Sequence, residues 1–133
     1  MGGETNLEIL LQSMQPTLQN EIFVFCTLSP EQFQTLNLHP IGSFQEPEGL
    51  TVILPQSEAD RANLSCHFIS RMITLSVHSS LDAVGFLAAI TAKLAKHQIS
   101  VNPISAYYHD HLFVPADRVE EAMKLLLELT HHE

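Results

Sequence analysis

Apolar positions follow two rhythms along this chain, and each change of rhythm marks a new element. Leu7, Leu10, Leu11 and Met14 recur at helical spacing and stop short of Pro16, which predicts a short helix. EIFVFCTL (21–28) is rich in aromatic and β-branched residues and reads as a strand. Ser29, Pro30 and Gln32 form a helix-start signature, with a cap, a proline at the first position and a capping-box partner, opening a helix that ends near Leu36. HPIGSFQ, EPEG and LTVIL read as strand, turn and strand, so 39–54 is expected to be a hairpin. SEADRAN supplies a short helix or turn from Ser57.

Residues 64–77, LSCHFISRMITLSV, stay extended, with Ile73, Leu75 and Val77 alternating with Thr74, Ser76 and His78. Fourteen residues is long for one strand, so a bend is expected near Ser70-Arg71. A helix follows over about 82–97, with Leu87, Ile90 and Leu94 on one face and Lys93 and Lys96 toward solvent. ISVNPISAYY is the next strand, HD a turn and HLFV the returning strand. Asp117 then starts a last helix, with Glu120 at capping-box distance and Val119, Ala122, Met123, Leu126 and Leu129 as its apolar stripe.

Strand, helix, strand, strand, helix is the order of the second half, and the first half repeats it in a degenerate form. The economical reading is α+β: two small ferredoxin-like modules (βαββαβ), with antiparallel sheets and helices packed on one face. The expected division is 1–70 and 71–133. No residues remain after the last helix for a fourth strand in the second module, so its open edge must be closed by the first module or by a second chain.

Composition narrows the function. The chain has 133 residues, 45% of them apolar, and a mean hydropathy of +0.10, suited to a globular domain with a core. No apolar run reaches the roughly 20 residues that cross a bilayer, and the start MGGETNLEIL lacks the basic and apolar parts of a signal peptide. A cytoplasmic protein with no membrane partner is expected. Residues 1–60 carry eight acids and no Lys or Arg; the remainder has a net charge of −1 within the total of −9. Such a surface repels phosphate backbones, so nucleic acid is not an expected partner. Cys26 and Cys66 each lie in an apolar run and are expected to be buried thiols rather than a disulfide.

The candidate chemistry is sparse. Eight histidines invite a metal, yet His109 and His111 flank a turn and His131-His132 lie near the end, without the converging spacing that zinc needs. Solvated turn and tail histidines are the expected state, and no metal or cofactor is called for. There is no G-x-S-x-G elbow and no phosphate-binding glycine motif, so an enzyme is not expected. An enzyme using His109, Asp110 and His111 is the weakest of the three functional readings. What stands out is SSLDAVGFLAAI (79–90). Ser79, Ser80 and Asp82 can cap exposed backbone N–H groups, and a helix start receives carboxylates well. Gly85 sits inside the expected first turn, where it costs roughly 1 kcal/mol relative to Ala. A glycine there either permits close packing or leaves room for a ligand.

With these elements in order, the second half resembles the ACT domain. The resemblance rests on RMITLSV, then a D-x-x-G-x-L loop (Asp82, Gly85, Leu87), then Ile99, Ser100, Ile104, Ser105, Tyr108, Asp110, His111, Phe113 and Val114 in register. It looks nearest to the branch that bacterial paired-ACT proteins share with the CASTOR arginine sensors. EGLTVILP carries a weaker likeness in the first half. The resemblance implies a non-enzymatic regulatory protein that binds a small molecule, usually an amino acid, where two modules meet. Carried over by position, the ligand loop is Ser79, Ser80, Leu81, Asp82, Val84, Gly85 and Phe86, and the strand contributes Asn102, Ile104 and Ser105. A homodimer or higher oligomer is implied as well. The alternative is a ligand-free oligomerisation or protein-docking module, motivated by apolar strand edges.

Overall fold

Two compact units emerge from the chain: Glu21–Ser70, and a second made of the residues up to Asn20 together with those from Arg71 onward. The computed structural model describes residues 6–77 and 83–130.

Glu21–Ser70 is built as strand, helix, strand, strand, helix, strand. Its elements are the later part of β1 (Pro16–Leu28), α2 (Pro30–Thr35), β2 (Gly42–Glu46), β3 (Gly49–Pro55), α3 (Gln56–Arg61) and the start of β4 (Cys66–Leu75); α1 (Leu7–Ser13) belongs to the other unit. The strands lie in the order β2-β3-β1-β4. β3 pairs antiparallel with β1, Cys26 opposite Val52, and with β2, Phe44 opposite Thr51. The capping box at α2 is present in full: Ser29 Oγ accepts from Gln32 N–H at 3.1 Å and Gln32 Oε1 accepts from Ser29 N–H at 2.9 Å. Pro47-Glu48 makes the expected hairpin turn between Glu46 and Gly49. Val24, Cys26, Leu28, Val52, Leu54 and Ala59 form the core, because alternate strand residues share one face.

The expectation of two free thiols is overturned. Cys26 and Cys66 form a disulfide with their Cα atoms 4.6 Å apart, a spacing that suits such a bond. Both runs were read correctly as apolar, but which strands become neighbours is a property of topology that neither run encodes.

The second unit carries β4, α4 (Phe86–Lys96), β5 (Asn102–Ser105), β6 (Asp110–Pro115), a 3-10 turn (Ala116–Arg118) and α5 (Val119–Thr130), preceded by α1 and the start of β1. Its strand order is β1-β4-β6-β5. Among the described residues no strand follows α5, as expected. The vacant position beside β4 is filled instead by the start of β1. Ser76 N–H donates to Gln15 O at 3.0 Å, Thr17 Oγ1 and Ser76 Oγ are 3.2 Å apart, and Gln19 Nε2 donates to Thr74 Oγ1 at 3.3 Å. Arg71 adds Nε and Nη2, both donating to Gln19 O. The core gathers Leu10 and Met14 of α1, Ile73 and Leu75 of β4, Ile90 and Leu94 of α4, Leu112 and Val114 of β6 and Ala122 and Leu126 of α5. Each such aliphatic side chain withdrawn from water contributes about 1.5–3 kcal/mol, so α1 is an integral part of this core. Lys93 Nζ and Glu128 Oε1, 2.9 Å apart, link α4 to α5, and the Lys93 ammonium holds the Glu128 carboxyl below its ordinary range.

Several boundaries differ from the sequence reading; β1, for one, begins at Pro16 rather than Glu21. α4 begins at Phe86, not near 82, so Gly85 is its N-cap rather than part of its first turn. β5 is limited to Asn102–Ser105, and the turn after it spans 106–109 rather than the expected HD pair. Asp117 lies in the 3-10 turn and makes no cap, so α5 starts at Val119.

Candidate functional site: the start of α4 and the β5 edge

β4 delivers the chain to the expected ligand loop. Ser79, Ser80, Leu81 and Asp82, together with His78, lie outside the described residues. Val84 is 84% exposed, whereas Phe86 is only 3% exposed and anchors α4 in the core. Between them Gly85 adopts φ 89°, ψ −11°, the left-handed region. Its carbonyl accepts the first helical bond from Ala89 N–H at 2.9 Å, and among the described residues no side chain caps the helix. Among the described residues, a Cβ at Gly85 would meet only Leu7 Cδ2, at 3.7 Å, an ordinary contact. The glycine is therefore required by backbone conformation; lack of space is not the reason. Of the two expectations for a glycine here, close packing against the described residues is the one that this geometry does not support.

Asn102, Ile104 and Ser105 are all on β5, whose four residues are exposed. Among the described residues β5 pairs on one side only, with β6: Asn102 opposite Phe113, Ile104 opposite His111 and Ser105 opposite Asp110. Ser105 Oγ donates to Asp110 Oδ1 at 2.6 Å. The turn after β5 reaches back toward the loop, since His109 Nδ1 lies 3.2 Å from Val77 O. Of the predicted strand residues, Ser105 is thus adjacent to the turn that touches the loop entrance. Asn102, three residues back at roughly 3.3 Å per residue, is about 10 Å farther along.

Sequence reasoning missed the row of polar groups beside this edge. Gln19, Thr74 and His111 join three strands: Gln19 donates into Thr74 Oγ1, and Thr74 Oγ1 lies 3.0 Å from His111 Nδ1. With Gln19 as its donor, the Thr74 hydroxyl has its own hydrogen for Nδ1, which fits a neutral His111 protonated at Nε2. Burial lowers the His111 pKa, His109 nearby lowers it further, and Asp110 partly opposes both. The signal was present in the alternation of Thr17 and Gln19, polar residues on a strand that the apolar pattern alone started at Glu21. Tyr107 and Tyr108, read as strand residues in the sequence, are exposed at the turn with ring centroids 4.9 Å apart.

No group of three or more His, Cys, Asp or Glu side chains among the described residues could hold a metal ion. No helix among them is long and apolar enough to cross a membrane. A cleft of about 530 Å³ opens elsewhere, at the start of α5, lined by Arg71, Asp117, Arg118, Glu120 and Glu121 among others. None of the described predicted ligand residues lines it.

The family follows from comparison with known proteins. Two ACT domain models match, one over residues 2–71 and one over 68–128. The chain belongs to the ACT domain family. No curated protein matches the sequence. Among solved structures, a Vibrio cholerae protein of unknown function, described as a possible transport protein, shares 46% identity. That match covers 94% of this chain and 96% of the other, with a TM-score of 0.85. The regulatory subunit of aspartate kinase from Thermus thermophilus, in its ligand-free form, superposes with a TM-score of 0.71 over 92% of this ACT chain and 99% of its own, at 10% identity. The corresponding subunit from Thermus flavus gives 0.69 over 87% and 97%, at 9% identity. At these identities the two kinase subunits share the ACT fold with this chain.

Proposed function

We propose that this ACT protein is a non-enzymatic regulatory module that binds an amino acid or a similar small molecule. The ligand is held by the loop and helix start at 79–86 and by β5 with Val101. The observation that carries the reading is Gly85: a left-handed N-cap that, among the described residues, leaves the first turn of α4 without a side-chain cap, in the stretch between β4 and α4 of an ACT frame. The first N–H groups of a helix and its dipole favour a carboxylate. Ser105 and Asn102 supply hydroxyl and amide groups for the rest of a zwitterion, and Ile104 an apolar contact. That aspartate kinase regulatory subunits share the fold supports the same reading. The likeness of the 99–114 segment to the CASTOR arginine sensors, a cytoplasmic setting and a homodimer or larger assembly belong to this proposal.

Calorimetric titration with the twenty amino acids tests it. One or a few are expected to bind, with affinity lost in Gly85→Val and weakened in Ser105→Ala. Absence of binding, or binding indifferent to both changes in a folded protein, rules out the assignment.

The second reading is a docking or oligomerisation module. It is favoured by the apolar and aromatic exposure at this edge: Val84, Ile104, Tyr107 and Tyr108. An unpaired strand edge is a template for a further strand. Under that reading Ile104→Lys changes the mass found by light scattering, and amino acids have no effect.

A further inference from the structure

The disulfide poses a geometric problem within Glu21–Ser70. Phe25 and Cys26 are consecutive strand residues and so face opposite sides of the sheet; Cys26 points into the core. The Phe68 ring contacts the Phe25 ring edge-on at 5.7 Å, which places Phe68 on the side away from that core. Cys66 is two residues earlier, so regular alternation would put it on the same side as Phe68. It is bonded to Cys26 instead. Between Phe68 and Cys66 the alternation must therefore break.

The backbone shows where. Phe68 has φ 62°, a left-handed conformation in mid-strand that a bulky residue rarely adopts. Ser70 Oγ donates to Phe23 O at 3.0 Å, so Phe23 and Ser70 are cross-strand neighbours, as are Cys26 and Cys66. Three residues of β4 lie between these pairings against two of β1. One extra residue on one strand, with a left-handed residue beside it, is a β-bulge.

We propose that Cys26–Cys66 is a reversible thiol–disulfide site that locks this bulge, acting as a redox latch on the outer part of β4. The two sulfurs are not equivalent: Cys26 is 4% exposed while Cys66 is half-buried. A thiolate of a small dithiol or a thioredoxin-class protein attacks Cys66 Sγ. The S–S bond breaks and its electron pair leaves on Cys26 Sγ, which takes up a proton in apolar surroundings that disfavour the thiolate. The second thiol of the reductant then attacks the mixed disulfide, leaving as the reductant's own disulfide and freeing Cys66. Once released, Phe68 returns to the extended region, alternation is restored, and Cys66 turns over to the Phe25 side. Oxidation by a disulfide-form partner of the same class requires the bulge to re-form first. The bond and the strained residue thus define two registers of one strand.

Alkylation mass spectrometry and hydrogen exchange on the full chain, with and without dithiothreitol, test the latch. Without reductant, denatured protein is expected to take up no alkylating agent. With reductant, Cys66 alkylates faster than Cys26, and exchange at residues 66–70 rises by about tenfold while β3 stays protected. Phe68→Gly, which accepts the left-handed conformation without strain, should hold the bulge after reduction and reduce that rise to about threefold or less. Two free thiols in the untreated protein overturn the proposal. So does equal alkylation of both cysteines, a uniform loss of protection across 21–70, or a Phe68→Gly response like that of the parent.

Discussion

Leu7 Cδ2 lies 3.7 Å from the point that a Cβ on Gly85 would occupy, so the N-terminal helix rests against the start of α4 without crowding it. Replacing Gly85 with Ala should consequently cost about 1–2 kcal/mol through its backbone at φ 89° and almost nothing through contact. Gly85→Asn should cost less, since Asn tolerates the left-handed region better. Urea denaturation of the three proteins checks the order Gly, Asn, Ala. An Ala variant as stable as the parent would mean that the turn is not held in this conformation.

His111 sets a pH dependence. Burial and His109 lower its pKa below 6.5, against partial opposition from Asp110, so the unfolded chain takes up the proton first. Its contribution to stability is complete above the ordinary imidazole range and is lost as the pH falls from about 6.5 toward the lowered value. Thermal melts between about pH 8 and 5 should show this decline, and His111→Gln should flatten it. A slope unchanged in His111→Gln would assign the effect to another group.

Ser29 and Gln32 cap each other across the first turn of α2. Ser29→Ala leaves one of these N–H groups without its acceptor and should cost about 1 kcal/mol. Ser29→Asp should retain most of the stability, because a carboxylate also caps and suits the helix dipole. Chemical denaturation with unchanged m-values would confirm both.

Ile90 is fully buried where α4 meets the core of its unit. Ile90→Ala should cost about 2–5 kcal/mol, the range for a truncated core aliphatic that leaves a cavity. Leu87→Ala, on a partly buried residue of the same helix, should cost distinctly less. Equal losses would indicate that α4 packs with a different face inward.

What could be read from the sequence was whatever local chemistry decides. The capping box at Ser29, the turn at Pro47-Glu48, the alternation of Ile73 and Leu75 and the helical stripe with Val119 and Ala122 all depend on residues within a turn or two of each other. The order of elements then brought out the ACT frame. The readings that went wrong depended on distant partners. PTLQN (16–20) has too few apolar residues to announce a strand, because its pairing with β4 is visible only from Ser76, Thr74 and Arg71. Cys26 and Cys66 are 40 residues apart, and their bond needs a bulge that nothing in LSCHFI signals. At the candidate site the glycine was legible; its left-handed backbone was not. Only the backbone angle separates a residue that makes room from one that makes a turn.

The strand at 16–20 has a consequence for synthesis. Residues 21–70 are contiguous and can complete their sheet while the rest of the chain is still being made. The other unit closes on itself only when β4, β5, β6 and α5 have followed α1 and the start of β1, the first described segments to leave the ribosome. Those early residues must wait, their apolar stripe of Leu10 and Met14 uncovered, until nearly the last helix has been translated. Such distant closure is the slow kind, set by chain topology more than by stability. A nascent chain whose first 70 or so residues have cleared the ribosome should therefore protect its middle from protease and leave its beginning open to cleavage.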